Sequence, residues 1–264
     1  GDAMARPLIE AYAAGGYDAS SVVSMSSNGA LFSQSVKDAV FAALPNVVVT
    51  DAIGSSETGF TGLSFASAGG EQRGGPTVSP GPATIVIDDE GKQVGPGQVG
   101  RIARGGHIPL GYYKDPVKTA AMFVEVDGDR YVVPGDFARV EQDGTITLLG
   151  RGSACVNTGG EKVFPEEVES ALKRHPAVFD ALVIGIPDER LGQQVAAIVQ
   201  PRQGQQIDLA DLESVVRRHV AGYKVPRTVW ITDSIGRTPS GKVDYVWARK
   251  FADSQLAAPA GTQT

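Results

Sequence analysis

Apolar residues in the first fifty positions recur at spacings that change between helix and strand along the chain. The predicted elements are a helix at 4–14, a strand at 22–25, a helix at 33–44 and a strand at 47–49. In the second helix Val36, Val40 and Leu44 share one face, and Pro45 ends the helix. Because the order strand–helix–strand is typical of parallel pairing, we predict an α/β layer with a parallel sheet.

The pattern changes near residue 76, where short β-rich runs alternate with turns. The predicted strands lie at 83–87, 99–103, 131–133, 137–140 and 145–149. Asp143 and Gly144 separate the last two strands and have the composition of a hairpin turn. We interpret residues 76–150 as a small β-barrel or sandwich packed on the α/β layer.

A third pattern follows Arg151 and predicts a compact α+β domain over 151–264. Pro165 suits the first position of a helix, and acidic residues follow it at the helix end where the dipole is positive. The other predicted elements are strands at 181–186, 195–199 and 228–231, a helix at 208–220 capped by Asp208, a last short helix, and a frayed tail at 254–264. The chain therefore divides into two predicted domains, 1–150 and 151–264.

The composition is that of a globular protein and excludes some functions. The chain has 264 residues, 42% of them hydrophobic and 20% charged, which is enough for a sizeable core. A net charge of -6 argues against nucleic acid as a partner, and no apolar run is long enough for a transmembrane segment. One cysteine fits a reducing compartment, so we expect a cytoplasmic protein. Since the chain starts with Gly1, we expect it to begin inside a larger protein or to carry residues left by cloning.

The segment "DAIGSSETG", residues 51–59, follows the predicted buried strand at 47–49. Ligands in open α/β sheets bind at the carboxyl ends of strands, and this segment offers several hydroxyl groups there. Glu57 can hold Mg²⁺, which prefers oxygen ligands and often shares them with substrate phosphates. The alternative is a polar turn with a solvated glutamate.

Three further side chains are candidates for chemistry. Asp136 follows a Pro-Gly turn, where a carboxylate can accept two hydrogen bonds from a ribose diol. Arg151 lies between two glycines and carries a planar fork of donors that suits ribose or phosphate. Lys242 sits on the turn of "TPSGKVD". The alternatives are a turn aspartate, an ordinary linker and an exposed lysine.

Five short motifs occur in a fixed order, which is more specific than any one of them. They are Gly54-Ser55-Ser56-Glu57, Gly135-Asp136, Gly150-Arg151, Gly160-Glu161-Lys162-Val163 with Pro165 to Glu169, and Pro239-Ser240-Gly241-Lys242. This series resembles the C-terminal half of the acyl-CoA synthetases, or fatty-acid–CoA ligases, of the adenylate-forming superfamily. The resemblance covers about residues 20–250.

The resemblance implies a two-step reaction. A carboxylic acid reacts with ATP and Mg²⁺ to give an acyl-adenylate and pyrophosphate, and CoA then displaces AMP to give a thioester. The acid would be a small molecule, and medium- or long-chain fatty, branched and sterol-derived acids remain open. The same motifs serve an adenylation domain that loads a carrier protein, and a non-catalytic nucleotide-binding remnant is a third alternative.

The resemblance also implies a role for particular residues. Lys242 would bridge the acyl carboxylate and the α-phosphate during adenylation, Glu57 would bind Mg²⁺, and Asp136 and Arg151 would contact the ribose. The rest of the nucleotide pocket would be lined by Gly29, Ala30, Asp51, Ala52, Ile53, Gly54, Ser55 and Ser56. The smaller domain would then rotate about a hinge at Ser153, and Gly159 and Gly160 would arrive to shape the tunnel for the CoA thiol.

The chain departs from the family pattern in four places. Ile53 stands where the family often has an aromatic residue, Ser153 where Asp or Lys is usual, and Asn157 where lysine is common. The upstream phosphate loop is missing, so we expect that the chain cannot efficiently adenylate alone. Robust turnover of ATP to AMP and pyrophosphate would contradict this expectation. The missing half would also leave an apolar face on residues 1–75, which favours association, for example as a homo-oligomer, or aggregation.

Overall fold

The computed structural model describes residues 1–30, 32–70 and 77–257 and separates the chain into two compact units. The first unit ends at Ser153 and the second begins at Ala154. Each unit has its own sheet and its own buried clusters of apolar side chains. No helix among the described residues is long and apolar enough to span a bilayer.

The first unit opens with a mixed rather than purely parallel layer. Its elements are α1 (Asp2–Ala13), β1 (Ser24–Asn28), α2 (Gln34–Ala43), β2 (Val48–Ser55) and β3 (Gly59–Ala66). Strands β1 and β2 pair in parallel, as the strand–helix–strand pattern predicts, and Val36 and Val40 of α2 are buried in the adjoining core. Strand β3, which sequence analysis did not predict, pairs antiparallel with β2.

The β-rich remainder of the first unit extends this sheet instead of closing into a barrel. Its elements are β4 (Thr77–Pro80), β5 (Thr84–Ile87), β6 (Val99–Arg104), α3 (Pro116–Met122), β7 (Phe123–Val126), β8 (Asp129–Val132), β9 (Asp136–Val140) and β10 (Ile146–Arg151). The strand order is β1-β2-β3-β4-β10-β9-β6-β8-β7, with β5 on β6. Strand β4 pairs with both β3 and β10 and so joins all the described strands of this unit into one open path. No closed barrel is found among these strands, so the predicted small β-barrel is not confirmed.

The second unit is an α+β arrangement around a second sheet. Its elements are β11 (Val156–Thr158), β12 (Glu161–Val163), α4 (Pro165–Leu172), β13 (Val178–Asp188), β14 (Gly192–Pro201), α5 (Leu209–Arg217), β15 (Thr228–Ile231) and α6 (Tyr245–Ala257). The sheet order is β12-β11-β14-β13, and β15 joins β14 in parallel. Helix α4 starts at Pro165 and Asp208 caps α5, as predicted. The tail predicted to fray is helical to Ala257, and 258–264 lie outside the described residues.

Helices cover both faces of the second sheet, which explains the long apolar runs of its central strands. Successive side chains of a strand point to opposite faces, so β13 supplies two cores. Val183 faces the cluster that contains Leu172 of α4 and Leu212 of α5. Leu182 faces the cluster that contains Ala248 of α6, where Trp247 also packs.

Gly236 lies against α6 and offers a test of this packing. A Cβ atom at this position would overlap the indole ring of Trp247, whose own ring is stacked on Phe251 with centroids 5.3 Å apart. Because the ring is held in place, we expect Gly236→Ala to lower the free energy of unfolding by about 1–3 kcal/mol. Urea denaturation followed by circular dichroism measures the change.

Gly222→Ala is the matched control within the same unit. The nearest heavy atom to a Cβ there is Nη1 of Arg217, at 3.9 Å, so the methyl group has room. We expect its free energy of unfolding to stay within about 0.5 kcal/mol of the parent or to increase slightly. Equal stability of both variants would show that the ring of Trp247 gives way.

Candidate active site

Strand β2 carries most of the predicted nucleotide pocket. The strand continues to Ser55, so Asp51, Ala52, Ile53 and Gly54 lie inside it, and the expectation that it ends near 49 is wrong. Pairing on both sides extends the strand, since β1 pairs with it as far as Ala52 and β3 as far as Ser55. A Cβ on Gly54 would overlap the carbonyl oxygen of the facing strand, so this bulged position requires glycine.

Asp51 has a charged partner within the first unit, and Gly29 adopts a backbone conformation that favours glycine. Asp51 is buried and forms an ion pair with the ammonium group of Lys37 from α2. Gly29 follows β1 with φ +75°, a conformation that favours glycine, and Ala30 beside it is half-buried. The predicted contacts of these residues with a nucleotide stay predictions.

Hydroxyl groups fix the turn that presents Glu57. The backbone N–H of Ser55 donates to Oγ1 of Thr58 at 2.9 Å, and the N–H of Thr58 donates to Oγ of Ser55 at 3.2 Å. Thr61 adds a third hydroxyl, which donates to Oγ1 of Thr58 at 3.0 Å. Ser56 at the tip is exposed and Glu57 is partly exposed. The hydroxyls of Ser55 and Thr58 therefore shape the turn.

Glu57 accepts a hydrogen bond that the sequence analysis missed. The hydroxyl of Tyr112 donates to Oε1 of Glu57 at 2.6 Å, and Nζ of Lys118 lies 3.9 Å from the centroid of the Tyr112 ring. This hydrogen bond lowers the pKa of Glu57 and raises the pKa of Tyr112 to about 12. Glu57 is therefore a carboxylate at neutral pH.

A hydrogen bond to helix α3 holds the backbone of Tyr112. Asp115 caps α3 by accepting a hydrogen bond from the N–H of Lys118, and Pro116 occupies the first helical turn. Oγ1 of Thr119, in that helix, accepts a hydrogen bond from the N–H of Tyr112 at 2.8 Å. The Asp-Pro pair is a readable helix start, whereas the contact with Glu57 spans 55 positions of sequence.

Asp136 and Arg151 face each other across the β9–β10 pair. The antiparallel register places them as direct partners, and Nε of Arg151 donates to Oδ1 of Asp136 at 3.1 Å. The Asp136 side chain is 20% exposed and that of Arg151 is 61% exposed. Burial raises the pKa of Asp136, and the guanidinium of Arg151 opposes this rise.

The charges of this region act on one another. The negative charge of Glu57 also raises the pKa of Asp136, and the positive charge of Arg151 acts to lower the pKa of Tyr112. The structure thus brings Glu57, Tyr112, Asp136 and Arg151 into one region of the first unit. Among the residues the structure describes, no three His, Cys, Asp or Glu side chains group as a metal site would need.

Lys242 lies in the second unit on the turn that the sequence predicts. Gly241 has φ +77°, and its N–H donates to the carbonyl of Thr238 at 2.8 Å. The N–H of Thr238 donates to the carbonyl of Lys242 at 2.9 Å, which closes the turn. The lysine side chain is exposed.

Gly159 and Gly160 form the two-residue connection between β11 and β12. Their φ values are +59° and +89°, which is the pattern of a tight hairpin turn that suits glycine. The N–H of Gly159 donates to the carbonyl of Leu191 at 3.0 Å, so the hairpin is anchored within its unit. Ser153 is exposed in a short 3₁₀ turn, Gly152–Ala154, and its hinge role stays a prediction.

Comparisons with known proteins agree with this arrangement. Residues 167–242 match the family of AMP-binding enzyme C-terminal domains. A medium/long-chain-fatty-acid–CoA/3-oxocholest-4-en-26-oate–CoA ligase of Mycobacterium tuberculosis is 55% identical over 260 residues, which are 97% of this chain and 47% of that protein. A 3-oxocholest-4-en-26-oate–CoA ligase of Rhodococcus rhodochrous is 55% identical over 257 residues, 94% of this chain and 46% of that protein.

A solved structure supports the same relationship. The crystal structure of the anthranilate CoA ligase AuaEII in complex with anthranoyl-AMP superposes with a TM-score of 0.79 at 26% identity, covering 92% of this chain and 47% of that one. The residues that match the AMP-binding enzyme C-terminal domain, 167–242, lie within the second unit. The chain as a whole is a relative of the acyl-CoA ligases, which confirms the resemblance that its motifs indicate. It spans about half the length of the curated relatives it matches.

Tyr112→Phe tests how the charge state of Glu57 is set. The variant loses the hydroxyl that lowers the pKa of Glu57, so we expect this pKa to rise toward its ordinary value. A depressed carboxylate pKa stabilises the fold above the unfolded-state pKa, and this contribution is lost as the pH falls through the folded-state value. In the variant that contribution is smaller. Carboxyl ¹³C NMR titration of Glu57 measures the change.

Tyr113→Phe is the control, because this neighbouring side chain is 87% exposed. We expect its Glu57 titration curve to overlay that of the parent chain. An unchanged Glu57 pKa in Tyr112→Phe would show that the Tyr112 hydrogen bond does not lower this pKa.

Proposed function

We propose that the protein acts in an ATP-dependent acyl-CoA ligase. A carboxylate oxygen attacks the α-phosphorus of ATP, and the bond to pyrophosphate breaks to give the acyl-adenylate. The CoA thiol then loses its proton and attacks the acyl carbon, and AMP leaves. The observation that carries the proposal is the cluster of Glu57, Asp136 and Arg151 within one unit, each from a motif of the ligase series.

Asp136 and Arg151 would bind the ribose of the nucleotide. The partly buried carboxylate of Asp136 can accept two hydrogen bonds from a diol, and such bonds to a charged group are strong. Arg151 fixes this carboxylate by its own hydrogen bond, and its exposed guanidinium fork can reach the same sugar. The pocket residues of β2 and the Gly29–Ala30 segment would contact the base and the phosphates.

Glu57 fits the role of a Mg²⁺ ligand shared with ATP. It is an ionised oxygen donor on a fixed turn, and Tyr112 orients it from one side. Mg²⁺ commonly takes one or two carboxylates and completes its shell with phosphates and water, so a single glutamate is sufficient. When bound, the ion neutralises charge on the phosphate oxygens.

The second unit would contribute to both steps. Lys242 presents a compact ammonium group on an exposed turn, where it can bridge the acid carboxylate and the α-phosphate and stabilise the charge that develops between them. The hairpin of Gly159 and Gly160 offers bare backbone beside which the thiol arm of CoA can pass. Ser153 would serve as the hinge for exchanging these two elements.

The acid substrate would be fatty or sterol-derived. Two relatives are 55% identical to this chain. One is named as a ligase of medium- and long-chain fatty acids and of 3-oxocholest-4-en-26-oate, and the other as a ligase of 3-oxocholest-4-en-26-oate. Both act on CoA by name, which favours CoA over a carrier protein as the acceptor. A cytoplasmic location and assembly into homo-oligomers stay predictions.

Asp136→Ala tests the nucleotide site directly. The ligand is decanoyl sulfamoyl-adenosine, a non-hydrolysable analogue of an acyl-adenylate, and its binding is measured by isothermal titration calorimetry. Because the variant removes a charged acceptor for the ribose hydroxyls, we expect affinity to fall about 10–100-fold. Asp89→Ala, in which an exposed carboxylate of the same unit is removed, should bind like the parent.

Two outcomes would contradict the proposal. Equal affinity of the parent and Asp136→Ala would remove the ribose role of Asp136. Absence of binding by a chain whose circular dichroism is that of a folded protein would show that the first unit does not hold the nucleotide by itself.

A further inference from the structure

The turn that carries Lys242 stands on a segment that is tied to the sheet of its unit. The N–H of Ile235 donates to Oε1 of Gln200, on β14, at 3.1 Å, and Ile235 itself is buried. Arg237 then pairs with Val243 in an isolated antiparallel bridge. The bridge closes the loop, so the position of Lys242 depends on where Arg237 is held.

Arg237 is held by Asp180 of β13. Nε of Arg237 donates to Oδ2 of Asp180 and Nη2 donates to Oδ1, both at 2.9 Å. The two side chains are only 16% and 12% exposed. A two-bond contact between a planar guanidinium and a carboxylate fixes orientation as well as distance. The pair therefore ties the first residue of the bridge to β13.

Two further charged side chains surround the pair. Nζ of Lys173 lies 3.3 Å from Oδ1 of Asp180 and its side chain is 2% exposed. Glu169, fully buried on α4, accepts a hydrogen bond from the N–H of Val183 at 2.9 Å. Burial raises the pKa of Glu169, and the charges of Lys173 and Arg237 oppose that rise. The charges of the two acids and two bases thus act on one another.

We propose that Asp180 and Arg237 are positioning residues for Lys242. A buried ion pair is weak evidence for stability, because desolvation offsets most of the attraction, but it can specify one arrangement. Here the arrangement it specifies is the base of the loop whose tip is Lys242. The lysine side chain has four methylene groups and is flexible. It can therefore place its ammonium group reproducibly only if its backbone is fixed. The role of Lys242 in adenylation rests on the proposed function. The dependence of its turn on the Asp180–Arg237 pair does not.

Hydrogen exchange of the turn amides tests the link in the chain itself, without nucleotide. The probes are the N–H groups of Thr238, Gly241 and Lys242, which are bonded within the turn. We expect Arg237→Gln and Asp180→Asn each to speed their exchange about tenfold or more, with β13 and β14 amides little changed. The double variant should resemble the stronger single one, since both remove one interaction. Arg237→Lys should lie between Arg237→Gln and the parent.

Arg217→Gln is the matched control, because Arg217 forms an exposed pair with Glu213 at 2.6 Å in the same unit. Its turn amides should exchange as in the parent. Unchanged turn exchange in folded Arg237→Gln would overturn the inference. So would a uniform increase across the second unit, which would show that the pair only stabilises the fold. Neither outcome depends on nucleotide binding, so a failed ribose assignment and a failed positioning role are distinguished.

Discussion

The antiparallel pairing of β9 with β10 is the constraint on which the candidate site depends. Its register sets Asp136 opposite Arg151. The hydrogen bond from Arg151 offsets the cost of burying most of the Asp136 carboxylate. The N–H of Gly152 donates to the carbonyl of Gly135 at 2.9 Å, which continues the pairing one step beyond the strands. If one strand slipped by one residue, its side chain would move to the other face of the sheet. Asp136 and Arg151 would then lie on opposite faces and could not form their hydrogen bond.

The two units present their chemistry in different ways. In the first unit, the charged groups are held by local structure. Glu57 lies on a turn that hydroxyl groups fix, and Asp136 and Arg151 form an ion pair across a hairpin. In the second, Lys242 and the hairpin of Gly159 and Gly160 occupy turns anchored to a sheet that is covered by helices on both faces. Rigid supports beneath exposed loops are what catalysis by positioned charges needs.

Sequence reasoning found the elements whose signals are local. The Asp143-Gly144 turn predicted the β9–β10 hairpin, and Asp208 predicted the start of α5. The pairing of Asp136 with Arg151 in that hairpin came only from the structure. It missed β3, because Gly59 and Gly62 dilute the strand pattern. It missed Tyr112 because its contact with Glu57 depends on the path of the whole sheet. The predicted barrel failed for the same reason, since strand order is a property of distant pairings.

Strand β4 has a consequence for the order in which the first unit folds. It is short, and it pairs on one side with β3, which is near in sequence, and on the other with β10, where Thr77 meets Thr147 seventy positions later. Pairings across long loops form slowly, because closing the loop costs entropy before any contact is gained. The sheet is therefore completed only after β10 has been synthesised. Until then, β4 presents an open edge to which a neighbouring chain can add.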